Sequence, residues 1–222
     1  MTTRLAHYDA IFFDNDGILV DTEPLFFRAT QEILATVGVD LSVDLYHDWT
    51  MRQGRTVFEL VSEKGISDDE ILEMRRVRGA RYNALIREGV RVLDGVHETM
   101  EALRGARPKA IVTSSSRDHF DEIHVQTGLV AHFDFVLADG DYARHKPHPD
   151  PYLAAAQRMG VDPTRCLAIE DTERGVVSAA DAGMQCVAIP NALTSGADFS
   201  RAVARLDSMA ALPGWLGLVE RP

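Results

Sequence analysis

The sequence predicts an α/β fold: a parallel sheet core with an inserted all-helical block. Five short apolar runs have the character of buried strands, and helix-like segments separate the later ones. Strands that alternate with helices favour a parallel sheet with right-handed crossover connections. Residues 18–90 contain no comparable strand run and carry helix patterns instead. A helical block therefore interrupts the α/β part after its first strand.

The five predicted strands share a high content of Ile, Val, Phe and Leu. The first is Ala10–Phe13, where an apolar run ends at Asp14 and Gly17 then breaks the pattern. The other four are Lys109–Thr113, Phe133–Leu137, Arg165–Ile169 and Gln185–Ile189.

The predicted helices are marked by proline or a capping residue at the start and by glycine at the end. Three lie between the later strands, at 118–127, 150–159 and 173–182, and each is followed by glycine. In the helical block, Pro24 opens a helix that runs to about Val37. Ser67, with Glu70 three residues later, has capping-box form and opens a long helix through Arg87.

Composition limits the classes of protein to which the chain can belong. Its 222 residues suffice for a domain of ordinary size plus a smaller insert, and 45% hydrophobic with 26% charged residues is a globular composition. The formal net charge of −11 disfavours nucleic acid and anionic membranes as partners. An anionic substrate would therefore have to be attracted locally, by a metal and a few basic side chains.

Localisation and assembly follow from weaker signals. No apolar stretch approaches the roughly 20 residues of a membrane-spanning helix, and no signal-like block follows Met1. We therefore expect a soluble cytoplasmic protein, either a monomer or a small homo-oligomer. Cys166 and Cys186 each lie in an apolar run, so we expect buried free thiols rather than a disulfide.

The most informative polar residues are Asp14 and Asp16, one residue apart directly after the first strand. Carboxyl ends of strands are where open α/β folds bind ligands. Two carboxylates this close repel each other unless a positive charge lies between them. A divalent metal supplies that charge, and Mg²⁺ prefers oxygen ligands.

Further reactive residues are expected at the same edge of the sheet, because the carboxyl ends of parallel strands lie together. Ser114 follows the second strand, and Glu170 and Asp171 follow the fourth. Lys146 lies in the segment between the third and fourth strands. Carboxylates, a hydroxyl and an ammonium group together suit phosphoryl transfer, which needs a nucleophile, a metal and donors to phosphate oxygens.

These motifs resemble, in order, the four motifs of the haloacid dehalogenase superfamily. They are the Asp14-Asn15-Asp16-Gly17 segment, the Thr113-Ser114 strand end, Lys146-Pro147 and Glu170-Asp171-Thr172. The helical block resembles the cap of the β-phosphoglucomutase-like phosphatases of that superfamily. The resemblance implies a Rossmann-like core formed by residues 1–17 and 91–222, with a helical cap formed by residues 18–90.

The resemblance also implies roles for these residues. Asp14 attacks phosphorus and becomes an aspartyl phosphate, and Asp16 serves as general acid and then general base. Mg²⁺ is held by Asp14, Asp171 and the backbone carbonyl of Asp16, while Glu170 orients a metal-bound water. Ser114 and Lys146 bind phosphate oxygens. Asn15 occupies a position where only the backbone is normally used, so its side chain is assigned no role.

The cap is expected to act as a lid that selects the substrate, with hinges at 17–21 and 89–95. The segment from Met51 to Thr56 is polar and basic and is predicted to be a loop at a helix start. In members of the family that the chain resembles, a loop at this position faces the active site. Arg52, Gln53 and Arg55 are therefore candidate substrate contacts, against the alternative of a solvated loop.

Four functions are weighed against each other. The first is a Mg²⁺-dependent phosphatase that acts on a small phosphorylated metabolite, such as a sugar phosphate. A sugar-phosphate mutase of the β-phosphoglucomutase type is the alternative, but such enzymes place histidine near the start of the first cap helix, where this chain has Phe26. A dehalogenase would lack the second aspartate, so Asp16 argues against it. A non-catalytic binding module is disfavoured because every expected catalytic residue is present.

Overall fold

The structure is a computed structural model, and it describes residues 3–52 and 55–218. Of His47, Met51 and Arg52 only the backbone is described. The strands are β1 Ala10–Phe13, β2 Val20–Asp21, β3 Arg91–Val92, β4 Lys109–Ser116, β5 Phe135–Asp139, β6 Cys166–Glu170, β7 Gln185–Ala188 and β8 Ala204–Arg205. The α-helices are α1 Glu23–Ala35, α2 Val43–Tyr46, α3 Glu59–Ser62, α4 Asp68–Glu88, α5 Val96–Ala102, α6 Arg117–His124, α7 Asp150–Met159, α8 Glu173–Asp181 and α9 Leu212–Leu216.

Six strands form one sheet in the order β5-β4-β1-β6-β7-β8, and every neighbouring pair in it is parallel. This confirms the predicted α/β class. The strand β1 lies near the middle, with β4 on one side and β6 on the other. The short strands β2 and β3 form a separate antiparallel pair, Val20 with Val92 and Asp21 with Arg91.

The sequence of β1 explains its central place. All four of its residues are fully buried, as a strand covered on both faces of a parallel sheet requires. Phe12 packs in a core cluster with Val112 of β4 and Tyr152 of α7. Phe13 points to the opposite face and makes an edge-to-face contact with Phe133, with ring centroids 5.6 Å apart.

Some helices and strands have the bounds predicted from the sequence, and others are shifted. The helix 150–159 and the capping box of Ser67 and Glu70 are present as predicted. The third predicted strand is shifted, because β5 begins at Phe135 and residues 129–132 form a 3₁₀ turn. The strand β8 was not anticipated. No helix within the described part of the chain is both long enough and apolar enough to cross a membrane.

The chain divides into two compact units, Met1–Asp21 with Arg91–Pro222, and Thr22–Val90. The second unit begins at residue 22, whereas the predicted insert begins at residue 18. Every regular element among its described residues is helical. It has a hydrophobic cluster of its own, composed of Leu34, Val39, Leu41, Tyr46, Val57, Phe58, Val61 and Ile71.

Candidate active site

The polar residues predicted at the strand ends meet at the carboxyl edge of the sheet, beside β1. Asp14 directly follows β1, Glu170 ends β6 and Asp171 follows it. The Asp14 backbone N–H donates to the carbonyl of Ile169 at 2.9 Å, which places Asp14 next to the end of β6. This is the position at which ligands bind in open α/β sheets, outside the ends of neighbouring strands.

Lys146 lies between the carboxylate that follows β1 and the carboxylate that ends β6. Its ammonium nitrogen lies 2.9 Å from Asp14 Oδ1 and 2.7 Å from Glu170 Oε1, and it donates to the carbonyl of Val112 at 2.8 Å. The three N–H groups of the buried side chain therefore each have an acceptor. Burial opposes the charged form, but Asp14 and Glu170 outweigh it and raise the pKa of Lys146 above its ordinary value.

Three buried carboxylates cluster around this single cation. Asp14, Glu170 and Asp171 each offer an oxygen, and these oxygens lie within 4.8 Å of one another. Burial, followed by the neighbouring charge of Glu170, raises the pKa of Asp14 to about 7. Burial and the charge of Asp14 likewise raise the pKa of Asp171 well above its ordinary value. Lys146 alone therefore does not offset the cost of ionising all three carboxylates.

The same residues fit a divalent cation. Oδ1 of Asp171 is buried and has no hydrogen-bond partner, whereas Oδ2 accepts a hydrogen bond from Asn191 Nδ2 at 3.0 Å. A buried carboxylate oxygen without a partner is costly unless a cation or donor fills the place. Gly17 leaves room for this carboxylate, because a Cβ at Gly17 would lie 2.1 Å from Asp171 Oδ2. The oxygen ligands of the cluster are of the kind that Mg²⁺ prefers.

Glu170 makes direct contacts that the sequence did not indicate. Besides Lys146, its Oε1 accepts a hydrogen bond from the Tyr152 hydroxyl at 2.7 Å, and its side chain is fully buried. Gly175 in α8 makes space for it, since a Cβ there would lie 1.9 Å from Glu170 Oε2. Glu170 thus holds Lys146 in place. Its predicted role of orienting a metal-bound water remains a prediction.

Asp16 lies in a different environment from Asp14. Its Oδ2 accepts hydrogen bonds from Ser115 Oγ at 2.9 Å, Thr113 Oγ1 at 3.3 Å and Asn15 Nδ2 at 3.3 Å. Ser115 thus contacts Asp16, whereas the next residue, Ser116, caps α6. The predicted phosphate ligand Ser114 lies between these residues and is exposed at the end of β4.

The candidate substrate contacts belong to the helical unit. Gln53 lies outside the described residues, and so does the side chain of Arg52, whose backbone belongs to a π-helical turn rather than the predicted loop. The Arg55 guanidinium lies 3.8 Å from the centre of the Trp49 ring, and its Nε donates to Glu59 Oε2 at 2.8 Å. These contacts orient Arg55 within its own unit, and its role in recognition remains a prediction.

Three site residues were missed: Asn191, Tyr152 and His124. Asn191 follows β7, and β7 lies beside β6, so the strand order brings Asn191 to Asp171. That strand order is the signal that would have found it. Tyr152 lies within α7 and reaches Glu170 through its hydroxyl. His124 Nε2 lies 2.8 Å from Asn15 Oδ1, a contact between residues 109 positions apart.

Comparison with known proteins agrees with this geometry. Residues 11–189 match the haloacid dehalogenase-like hydrolase family. The chain is 33% identical over 206 residues to YhcW of Bacillus subtilis, covering 90% of this chain and 92% of that protein. It is 32% identical to the fructose-1-phosphate phosphatase YqaB of Escherichia coli, covering 81% and 95% respectively.

A solved structure leads to the same conclusion. The crystal structure of CbbY from Rhodobacter sphaeroides in complex with phosphate is 28% identical, superposes with a TM-score of 0.79, and covers 95% of this chain and 99% of that one. The predicted family and enzyme class are thus confirmed. With its motifs at the carboxyl edge of a parallel sheet, the chain belongs to the haloacid dehalogenase-like hydrolases and is a phosphatase of that family.

Proposed function

We propose that this protein is a Mg²⁺-dependent phosphatase that hydrolyses a small phosphomonoester through an aspartyl phosphate on Asp14. The observation that carries the proposal is the buried cluster of Asp14, Glu170 and Asp171 around Lys146, with one oxygen of Asp171 left without a partner. A bound Mg²⁺ would supply positive charge to the carboxylates and to the phosphate oxygens. Asp14 and Asp171 would hold it, together with the backbone carbonyl of Asp16.

The residues of the chain divide the reaction into two steps. A carboxylate oxygen of Asp14 forms a bond to phosphorus while the ester P–O bond breaks, and Asp16 gives its proton to the departing alkoxide. A water molecule then attacks the aspartyl phosphate, Asp16 takes up a proton from it, and the bond between Asp14 and phosphorus breaks. Lys146 offsets negative charge at Asp14 throughout.

The substrate class rests on the relatives and on the environment of Phe26. The 32% identical relative named for fructose 1-phosphate supports a phosphorylated sugar or a similar small metabolite. Phe26, at the position where mutases carry histidine, packs edge-to-face on Tyr82 with ring centroids 5.3 Å apart. It offers no group for proton transfer, which favours hydrolysis over the mutase reaction. We further propose that the helical unit selects the substrate.

The test is the formation of a phosphoenzyme. Wild-type protein mixed with 4-nitrophenyl phosphate and Mg²⁺ and quenched in acid should carry covalent phosphate, and EDTA should abolish both the adduct and turnover. Asp14→Asn should form no adduct and lose turnover down to background, because the amide is a poor nucleophile. The control is Asp121→Asn, the same change at an exposed aspartate on α6. Full turnover by Asp14→Asn, or full turnover in EDTA, contradicts the proposal.

A further inference from the structure

A chain of buried hydrogen bonds lies behind Asp16 and passes through the side chain of Asn15. Asn15 is fully buried. Its Nδ2 donates to Asp16 Oδ2 at 3.3 Å, and its Oδ1 lies 2.8 Å from His124 Nε2. His124 Nδ1 in turn lies 2.7 Å from the hydroxyl oxygen of Thr127. No pattern in the sequence assigned the Asn15 side chain a role, and these contacts correct that expectation.

The direction of each bond follows from the groups involved. An ionised Asp16 can only accept, so the amide N–H₂ of Asn15 faces it and Oδ1 faces His124. Oδ1 can only accept as well, which requires the ring proton on Nε2. Nδ1 then accepts from the Thr127 hydroxyl. Burial lowers the pKa of His124 to about 4, so the ring is neutral and carries a single proton at pH 7.

The opposite orientation of the Asn15 amide is disfavoured. It would set Oδ1 against the Asp16 carboxylate, and two acceptors would then face each other without a proton between them. The backbone of Asn15 is also fixed, because its carbonyl accepts from the N–H groups of Leu19 at 2.8 Å and Val20 at 3.2 Å. His124 is itself held by Phe120, whose ring centroid lies 4.3 Å from that of the imidazole. The amide therefore reaches Asp16 in one defined orientation.

Three of the hydrogen bonds to Asp16 reach the same oxygen. Thr113 Oγ1 accepts from the Ser115 backbone N–H at 3.0 Å, which leaves its own proton for Asp16 Oδ2. With Ser115 Oγ and Asn15 Nδ2, three donors point at Oδ2. Three donors on one oxygen restrict the rotation of the carboxyl group, and Asn15 supplies the one donor among them that is not on β4.

We propose that Asn15, oriented by His124, is a positioning residue that holds the Asp16 carboxyl group in the orientation from which it exchanges the proton with the leaving group. Asn15 acts through Asp16 and needs no contact with the substrate. The inference rests on the proposed function, because it presupposes that Asp16 is the general acid. It predicts that the loss of Asn15 impairs proton transfer and leaves nucleophilic attack by Asp14 largely intact.

The test compares two substrates that differ in how much they need the acid. Phenyl phosphate releases a basic phenolate that benefits from protonation, whereas 4-nitrophenyl phosphate releases a weakly basic anion. The ratio of their kcat/KM values reports the steps up to phosphoenzyme formation. Asn15→Leu, which has similar volume and no donor, should lower kcat/KM for phenyl phosphate by about tenfold more than for 4-nitrophenyl phosphate, as expected for one hydrogen bond to a charged group. A merely structural defect would lower both values together.

The variants of His124 test the orientation of the amide. His124→Gln keeps an N–H donor near the position of Nε2 and should retain a ratio within about threefold of wild type, while His124→Phe should resemble Asn15→Leu. Thermal unfolding shows which variants fold. If His124→Phe does not fold, the other two variants still test the inference. It predicts a changed ratio of the two kcat/KM values for Asn15→Leu and a ratio close to wild type for His124→Gln. If the ratio of the two kcat/KM values is the same in Asn15→Leu as in wild type, the inference is overturned.

Asp16→Asn separates failure of the inference from failure of the proposed function. It should change the substrate ratio at least as much as Asn15→Leu, because it removes the acid itself. If Asp16→Asn lowers kcat/KM equally for both substrates, the acid role in the proposed function is wrong. If Asp16→Asn changes the ratio and Asn15→Leu does not, the proposed function stands and the positioning role of Asn15 is rejected.

Discussion

Replacing Asp171 by Asn should stabilise the metal-free protein and, at the same time, remove its stabilisation by Mg²⁺. The carboxylates of Asp14, Glu170 and Asp171 meet a single ammonium, that of Lys146. Without metal, the Asp171 carboxylate is repelled by Asp14, Glu170 and Asp16 and attracted by Lys146. The substituted asparagine would keep the bond to Asn191 through its own carbonyl and would lose the charge. The effects with and without Mg²⁺ therefore have opposite signs.

The size of the metal-free effect follows from Coulomb's law. Carboxylate oxygens 4.8 Å apart, the upper bound within this cluster, repel by about 3.5 kcal/mol at an effective dielectric constant of about 20. Removing the repulsions from Asp14 and Glu170 together with the attraction of Lys146 leaves about one such pair, and the weaker repulsion from Asp16 adds to it. A gain of about 3 kcal/mol raises Tm by about 6–12 °C in a chain of this size.

The direction in which stability changes with pH follows from the raised pKa of Asp171. The folded chain binds more protons here than the unfolded chain, so this carboxyl group costs more stability as pH rises. The advantage of Asp171→Asn in EDTA should therefore grow from pH 5 to pH 8. Mg²⁺ at about 100 times its Kd should stabilise wild type by about 2.7 kcal/mol, or about 5–11 °C in Tm. The variant should gain little from it.

The assay is thermal unfolding followed by circular dichroism, in EDTA and in excess Mg²⁺, for wild type, Asp171→Asn and the control Asp121→Asn. The control should follow wild type under both conditions, because Asp121 lies on the exposed surface of α6. Two results would refute the reasoning. One is a variant less stable than wild type in EDTA. The other is an equal rise of Tm with Mg²⁺ in both proteins, which would place the metal elsewhere.

Two further changes test packing and recognition. Gly175→Ala should lower stability by about 1–3 kcal/mol, because the new Cβ would lie 1.9 Å from the buried Glu170 carboxylate. Its control is Gly196→Ala, where no atom lies within 4 Å and no change is expected, and equal stabilities would contradict the packing around Glu170. Arg55→Ala should lower kcat/KM for the best metabolite substrate and spare 4-nitrophenyl phosphate. Equal effects on the two substrates would leave Arg55 with its contacts to Trp49 and Glu59 alone.

The sequence was sufficient where a local pattern and a general rule of sheets coincide. Asp14 and Asp171 could be brought together because each directly follows a strand, and the carboxyl ends of parallel strands share an edge. The capping box at Ser67 is likewise a pattern within four consecutive residues and has a local cause. In these cases no distant contact is needed to place the residue.

The sequence was insufficient where position depends on a partner far along the chain. Which serine at the end of β4 would reach Asp16 could not be predicted from the alternation of side chains, because the pairing of β4 with β5 shifts between Val112 and Ser116. Nothing near Asn15 marks His124 as its partner, since α6 brings the imidazole there only through tertiary packing. The side chains that meet at a site are thus predicted better from the order of strands in the sheet than from the spacing of residues in the sequence.

The environments of Asp14 and Asp16 explain how two aspartates one residue apart can perform different tasks. Asp14 has a cation fixed beside it, since Lys146 lies 2.9 Å from its Oδ1. This cation opposes the rise in the pKa of Asp14 that burial and Glu170 cause, and so favours the ionised form that a nucleophile requires. The donors on Asp16 Oδ2 are two hydroxyls and an amide, all uncharged. They hold the carboxyl group in a defined orientation, as a group that must face the leaving group to exchange a proton requires. The difference lies in which neighbours the fold supplies, because the residue type is the same.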